Sequence, residues 1–281
     1  MADNKKAGKG QAAQRNRDAA RARAEAERLK AAQAAKERRT KLIAIIAGVV
    51  VVMVVAVAVV LVLRQASKSS FDEIGARPPG AIEAGSIVIG QDLVPGGQPA
   101  EGKEVVVVRI YSDYICPACG SLERRLSGKL EELAASGKIK LEVQPVVFLD
   151  YQSQGSEYST RATNAAMTVA KYAPESFLAF HAKLFETGTQ PSEGTEGLTD
   201  EQLVEVAQGV GVPEDVTAKF ADREFAAWLE YTTQQAVSDG VGGTPSMWIG
   251  KSDGKLTQVK NANAVNLDDA IARVLAGDSP D

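Results

Sequence analysis

The sequence predicts an α/β domain interrupted by an all-helical insertion and carried behind one membrane-spanning helix. Three observations predict it. Residues 42–63, "LIAIIAGVVVVMVVAVAVVLVL", contain no charge and no proline. Residues 102–148 read as strand, helix, strand, with "CPAC" at the first junction. Between about 152 and 240 the strand signals cease, and four segments with apolar positions at three- and four-residue steps follow one another.

Residues 1–41 carry 13 Lys and Arg against 5 Asp and Glu and are almost empty of large apolar side chains, so they cannot bury a core. A basic cytoplasmic arm is expected, acting as a solvated topology determinant or touching anionic headgroups or protein. The 22 residues of 42–63 are enough to cross a hydrocarbon core of about 30 Å as a helix. A signal h-region is shorter, about 7–15 residues, and no small-x-small cleavage site precedes Arg64. A retained anchor in the lipid bilayer is therefore expected, single-pass in the cell membrane with its N-terminus in the cytoplasm. The arm has a net charge of +8; with −4 for the whole chain and none in the span, residues 64–281 carry −12. An acidic extracytoplasmic domain argues against nucleic acid as a partner and permits disulfide chemistry.

Residues 64–84, with Ser, Gly and a Pro-Pro pair, read as a linker. "SIVIG" (86–90) is a short strand, and the β-branched run in "GKEVVVVRIY" (102–111) a buried central one. A helix should start at the cysteines, with Leu122, Leu126, Leu130 and Leu133 on one face and Gly137 at its end. "KIKLEVQPVVF" supplies the next strand. In the insertion, 152–240, "YSTRATNAAMTVAKY", "PESFLAFHAKLFE", "TDEQLVEVAQGVG" and "DREFAAWLEYTTQQAVSDG" read as helices, and Thr199 with Gln202 fits a capping box. "TPSMWIG" and "LTQVK" read as a hairpin turning at Asp253-Gly254, and "NLDDAIARVLAG" as the closing helix of a domain spanning 85–281.

Cys116 and Cys119 are the chain's two cysteines. A zinc site wants four ligands, and one histidine, His181, accompanies them; covalent haem needs a histidine where Gly120 stands. A structural disulfide closing so short a loop removes little unfolded-state entropy. A redox pair fits the position best. At a helix start the two sulfurs lie on one face, first-turn N–H groups favour the Cys116 thiolate, and Pro117 suits the first helical position. Cys119, one turn in, is expected to be more buried, less acidic and able to resolve a mixed disulfide.

"VVVVRIYSDYICPACG" and "GGTPSMWIG", with the helical insertion between them, resemble the DsbA-like branch of the thioredoxin superfamily in its membrane-anchored bacterial form. The resemblance covers about residues 85–276. It implies a thioredoxin fold with an inserted helical subdomain and a protein thiol-disulfide oxidoreductase whose cofactor is none beyond the Cys116–Cys119 disulfide. It also implies a cis Thr244-Pro245 bond beside the cysteines, with the Thr244 backbone free to pair with an extended substrate segment. Implied partners are exported or unfolded protein substrates and a membrane quinone-linked thiol oxidase that recharges the pair. The most oxidising members have histidine where Ala118 stands, so a Cys116 pKa between about 3.5 and about 8.5 is expected.

Asp113 is read either as a helper in proton transfer at Cys119 or as a loop carboxylate accepting backbone N–H bonds in an Asx-turn. Tyr114 is expected at the rim as a substrate contact, and His181 in the buried face of an insertion helix. An oxidase is the favoured direction. The rivals are a reductase and a non-catalytic, membrane-tethered peptide-binding or chaperone module on the same fold.

Overall fold

The computed structural model describes residues 71–102 and 105–281. The basic arm, the span expected at 42–63 and the start of the expected linker lie outside the described residues; among the described ones no helix is long and apolar enough to cross a membrane.

A five-stranded mixed sheet forms the centre: β1 (Ile87–Ile89), β2 (Val106–Ser112), β3 (Ile139–Pro145), β4 (Ser246–Lys251) and β5 (Thr257–Gln258), in spatial order β1-β3-β2-β4-β5. β2 and β3 are parallel, with Val108 opposite Leu141, and every other neighbouring pair is antiparallel. A parallel pair needs a crossover, which α1 (Pro117–Ala135) supplies. β2 is buried on both faces, which is why it reads as a valine run rather than an alternation.

Val106, Val108 and Ile110 share the main core with Leu122, Leu126, Leu130 and Leu133 of α1; Tyr111, on the opposite face, clusters with Val146, Ala236 and Val241. Each buried leucine contributes about 1.5–3 kcal/mol. That apolar seam fixes the helix whose first turn carries the cysteines. α1 ends as the sequence predicts: Gly137 takes a φ of 75°, and the Lys138 N–H reaches back to the Leu133 carbonyl at 3.0 Å.

The insertion consists of α2 (Tyr158–Tyr172), α3 (Phe177–Leu184), α4 (Asp200–Gly209), the short α5 (Glu214–Thr217) and α6 (Ala226–Ser238). α2 is buried over most of its length, and Ala162, Ala165, Ala166 and Ala170 let its neighbours approach closely. The capping box forms: Thr199 Oγ1 accepts the Gln202 N–H at 3.2 Å and Gln202 Oε1 accepts the Thr199 N–H at 2.9 Å. α6 brings the chain back to the sheet, where Gln144 Nε2 of β3 donates to the Thr232 carbonyl at 3.2 Å. α7 (Leu267–Ala276) closes the domain beside α1, whose Arg125 donates to the carbonyls of Ala262 and Val265 at 2.6 and 3.1 Å.

The linker expected over 64–84 is shorter than read. Ile74 is buried in the main core, Arg77 sits 4.4 Å over the Phe71 ring, Ala81 bridges Ile87, and the Tyr231 hydroxyl donates to the Glu83 carbonyl. Scattered apolar residues among Gly, Ala and Pro gave no periodic signal, yet Ile74 with these contacts pins the described part, 71–84, to the domain.

Candidate active site

β2 ends at Ser112, and the chain turns through Asp113, Tyr114 and Ile115 into α1. Cys116 is the N-cap of α1 and Pro117 its first residue. Pro117 and Ala118 are exposed at the turn, whereas both cysteines are buried thiols, 4% and 2% exposed.

Cys116 Sγ accepts the Cys119 N–H at 3.4 Å. The Cys119 thiol, then Thr244 and the backbone N–H groups of Cys119 and Ala118, outweigh burial and draw the Cys116 thiol down to about 6. Burial, and the neighbouring Cys116 sulfur, push Cys119 far the other way. At neutral pH one sulfur is therefore mostly thiolate and the other holds its proton. This is the difference in acidity expected from the sequence, and Cys116 falls inside the range expected with alanine at 118.

The Thr244-Pro245 bond is cis, as the resemblance implies, and the Thr244 carbonyl lies 3.5 Å from Cys116 Sγ, accepting from it while the thiol is protonated. Residues 128 positions apart thus meet at one sulfur. Beside it opens a groove of about 480 Å³ lined by Cys116, Phe148, Tyr151, Val237, Gly243 and Thr244 among others. Tyr151 and Val237 are 74% and 62% exposed, the large apolar side chains most open to solvent among the described residues. Sequence reasoning missed both. The usable signal was topological: Tyr151 follows the C-terminal end of a parallel strand, where ligands of open α/β sheets gather.

Asp113 is fully buried behind the turn and accepts from Ile115 N–H at 3.2 Å, Leu149 N–H at 2.9 Å and Ser159 Oγ at 2.6 Å. The first of these is the expected Asx-turn. Burial raises its carboxyl to about 6 in spite of those donors. His181 lies in the buried face of α3 as expected, with Nδ1 2.8 Å from the Tyr114 hydroxyl and Nε2 3.6 Å from Glu123.

That contact overturns the expected role of Tyr114. Its side chain is 1% exposed, stacks on Phe185 at 4.9 Å and points into the insertion, not onto the rim. The Phe185 ring and the buried His181 imidazole offer the ring more than solvent does, so Tyr114 anchors the turn from behind and the groove is built by Phe148, Tyr151 and Val237.

A sequence model of the family described as thioredoxin matches residues 97–265. The chain is 30% identical over 149 residues to the serine/threonine-protein kinase PknE of Mycobacterium tuberculosis, a match covering 51% of this chain and 26% of that protein. It thus spans about a quarter of the length of the curated kinases it matches. It is 28% identical over 170 residues to disulfide bond formation protein D of Bacillus subtilis, covering 57% of this chain and 73% of that one. Among solved structures, oxidised DsbA of Mycobacterium tuberculosis superposes with a TM-score of 0.53 at 28% identity, over 69% of this chain and 94% of that one. With the cysteine pair at the start of α1, the cis-proline loop against it and the helical insertion between them, the chain is similar to DsbA-type thiol-disulfide oxidoreductases and belongs to the thioredoxin family.

Proposed function

We propose that this chain is a membrane-anchored, extracytoplasmic disulfide oxidase that acts on exported proteins through Cys116-Pro117-Ala118-Cys119. One observation carries the direction: the Cys116 thiol is drawn down to about 6 while Cys119 is pushed up. A stabilised thiolate stabilises the reduced form, and the enzyme whose reduced form is stabilised is the stronger oxidant, by about 30 mV for each tenfold change in the equilibrium.

A substrate thiolate attacks Cys116 Sγ of the disulfide, forming a mixed disulfide and releasing Cys119 as the leaving sulfur, which takes up a proton. A second substrate thiolate attacks the substrate sulfur of the mixed disulfide and releases the Cys116 thiolate. The substrate has then lost two electrons and the pair has gained them. The reduced pair passes them to a membrane quinone-linked thiol oxidase, which the anchor at 42–63 keeps at high effective concentration. An extended substrate segment pairs with the Thr244 backbone by strand addition, and its apolar side chains enter the groove at Tyr151 and Val237.

The test is the reduction potential of the pair in the full-length chain, equilibrated against glutathione buffers. A value above about −200 mV is expected. One near the thioredoxin figure of about −270 mV overturns the oxidase reading and makes the chain a reductant fed with electrons from across the membrane.

A further inference from the structure

The insertion touches the redox turn from a second direction, through a side chain outside both the cysteine motif and the proline loop. Gln190 lies in the segment between α3 and α4, where its backbone N–H donates to the Glu186 carbonyl at 3.0 Å and Pro191 restricts its backbone. Its Nε2 donates to two backbone carbonyls at once, Tyr114 at 3.2 Å and Cys116 at 2.8 Å. Two carbonyl partners fix the orientation of the carboxamide, because the oxygen end can satisfy neither.

A separate feature points to the same clamp. Gly120, in the first turns of α1, has no left-handed φ to explain a glycine, and glycine inside a helix costs about 0.5–1 kcal/mol against alanine. A Cβ at residue 120 would occupy the position of Gln190 Oε1, with Arg124 beside it. The glycine makes room for the glutamine.

We propose that Gln190 is a positioning residue for the redox pair, holding the carbonyls of Tyr114 and Cys116 so that the first turn of α1 presents its N–H groups to the Cys116 sulfur. This rests on the thiol-disulfide reading. The Cys116 carbonyl also accepts from Cys119 and Gly120 N–H, at 3.1 and 3.2 Å, so its orientation and that of the donors around the sulfur are set together. Releasing the clamp lets the turn relax, and the donors to Cys116 Sγ lose their alignment.

The experiment is a thiolate-absorbance titration of the reduced full-length chain. Gln190→Met keeps length and bulk but removes the donors. It is expected to raise the Cys116 pKa by about half a unit to one unit and to move the glutathione equilibrium about three- to tenfold toward a less oxidising pair. A role in stability alone would lower the melting temperature of oxidised and reduced forms together and leave that pKa in place, which overturns the proposal. Gly120→Ala is expected to displace Gln190 and reproduce the shift in the wild-type background, yet to add nothing in Gln190→Ala. Additive shifts overturn it. Absorbance reports on the sulfur whether or not the pair exchanges with glutathione, so a wild-type chain inert to glutathione counts against the oxidoreductase reading and not against the clamp.

Discussion

On the open side of the active-site turn stand Pro117, Ala118, the Gly242–Gly243 stretch and a groove edged by Tyr151 and Val237, all in contact with solvent. On the closed side Asp113, Tyr114, Ser159 and His181 are each under 5% exposed and joined by hydrogen bonds of 2.6 and 2.8 Å. One helical turn sets Cys116 toward the first environment and Cys119 toward the second. The same chemical group therefore acquires two acidities, through the interaction of the two sulfurs and the burial and donors around each. The open side offers backbone and apolar contact, which tolerate varied substrates; the closed side offers directional bonds, which tolerate little change.

The largest effect should come from breaking the comparison at the sulfurs. Cys116→Ser is expected to abolish disulfide exchange, since the buried, proton-holding Cys119 is a poor substitute nucleophile. Cys119→Ser should retain the Cys116 thiolate, which attacks oxidised glutathione or a disulfide-bonded protein, releases one of its thiolates and accumulates as the mixed disulfide that no second cysteine resolves, and intact mass measurement under non-reducing conditions detects it. Equal loss in the two variants, with no trapped adduct, would mean that the two environments do not divide the roles.

Asp113 tests the closed side by stability. Its folded-state carboxyl titrates near 6, against an ordinary value of 3.8. Between these values the unfolded chain has given up a proton that the folded chain retains, so stability falls as pH rises from about 4 to about 6 and stays lowered above it. The size is on the order of 2–3 kcal/mol. Urea unfolding at pH 4 and pH 7 should reveal this slope in wild type and its flattening in Asp113→Asn. Asp113→Ala, which also lacks the titrating carboxyl, should be less stable than wild type at pH 4 by about 2–3 kcal/mol, because Ser159, Leu149 and Ile115 lose their acceptor in a buried site, and its deficit should shrink toward pH 7 as the wild type loses its own stabilisation.

The contrast between the sides also explains what was legible in the sequence. The sheet, α1 and the insertion helices are written in local periodicity, and the cysteine pair and the Thr-Pro loop are compact motifs. Their meeting at Cys116 was legible through family resemblance. The closed side was not: whether Tyr114 points to the rim or inward is decided by His181 and Phe185, 67 and 71 positions away, on a helix whose docking no local pattern specifies. Gln190 likewise sits in a Gly- and Thr-rich loop without periodicity, and its function depends on where that loop crosses α1. For Asp113 the sequence predicted the turn but not its enclosure, since Leu149 and Ser159 arrive from separate segments.

The smallest expected effect lies on the open side. Tyr151→Ala and Val237→Ser each remove an exposed apolar surface that a bound chain would cover, and neither side chain is among the groups that draw down the Cys116 thiol. The double variant is expected to lower kcat/KM for oxidation of an unfolded, reduced protein by about three- to tenfold, corresponding to about 1 kcal/mol of apolar contact. The rate with glutathione, too small to span the groove, should stay at the wild-type value, as should the Cys116 pKa. A parallel fall with both thiols would mean that Tyr151 and Val237 shape the sulfur's surroundings instead of gripping substrate. In that case the tolerance of the open side would have to come from the Thr244 backbone alone.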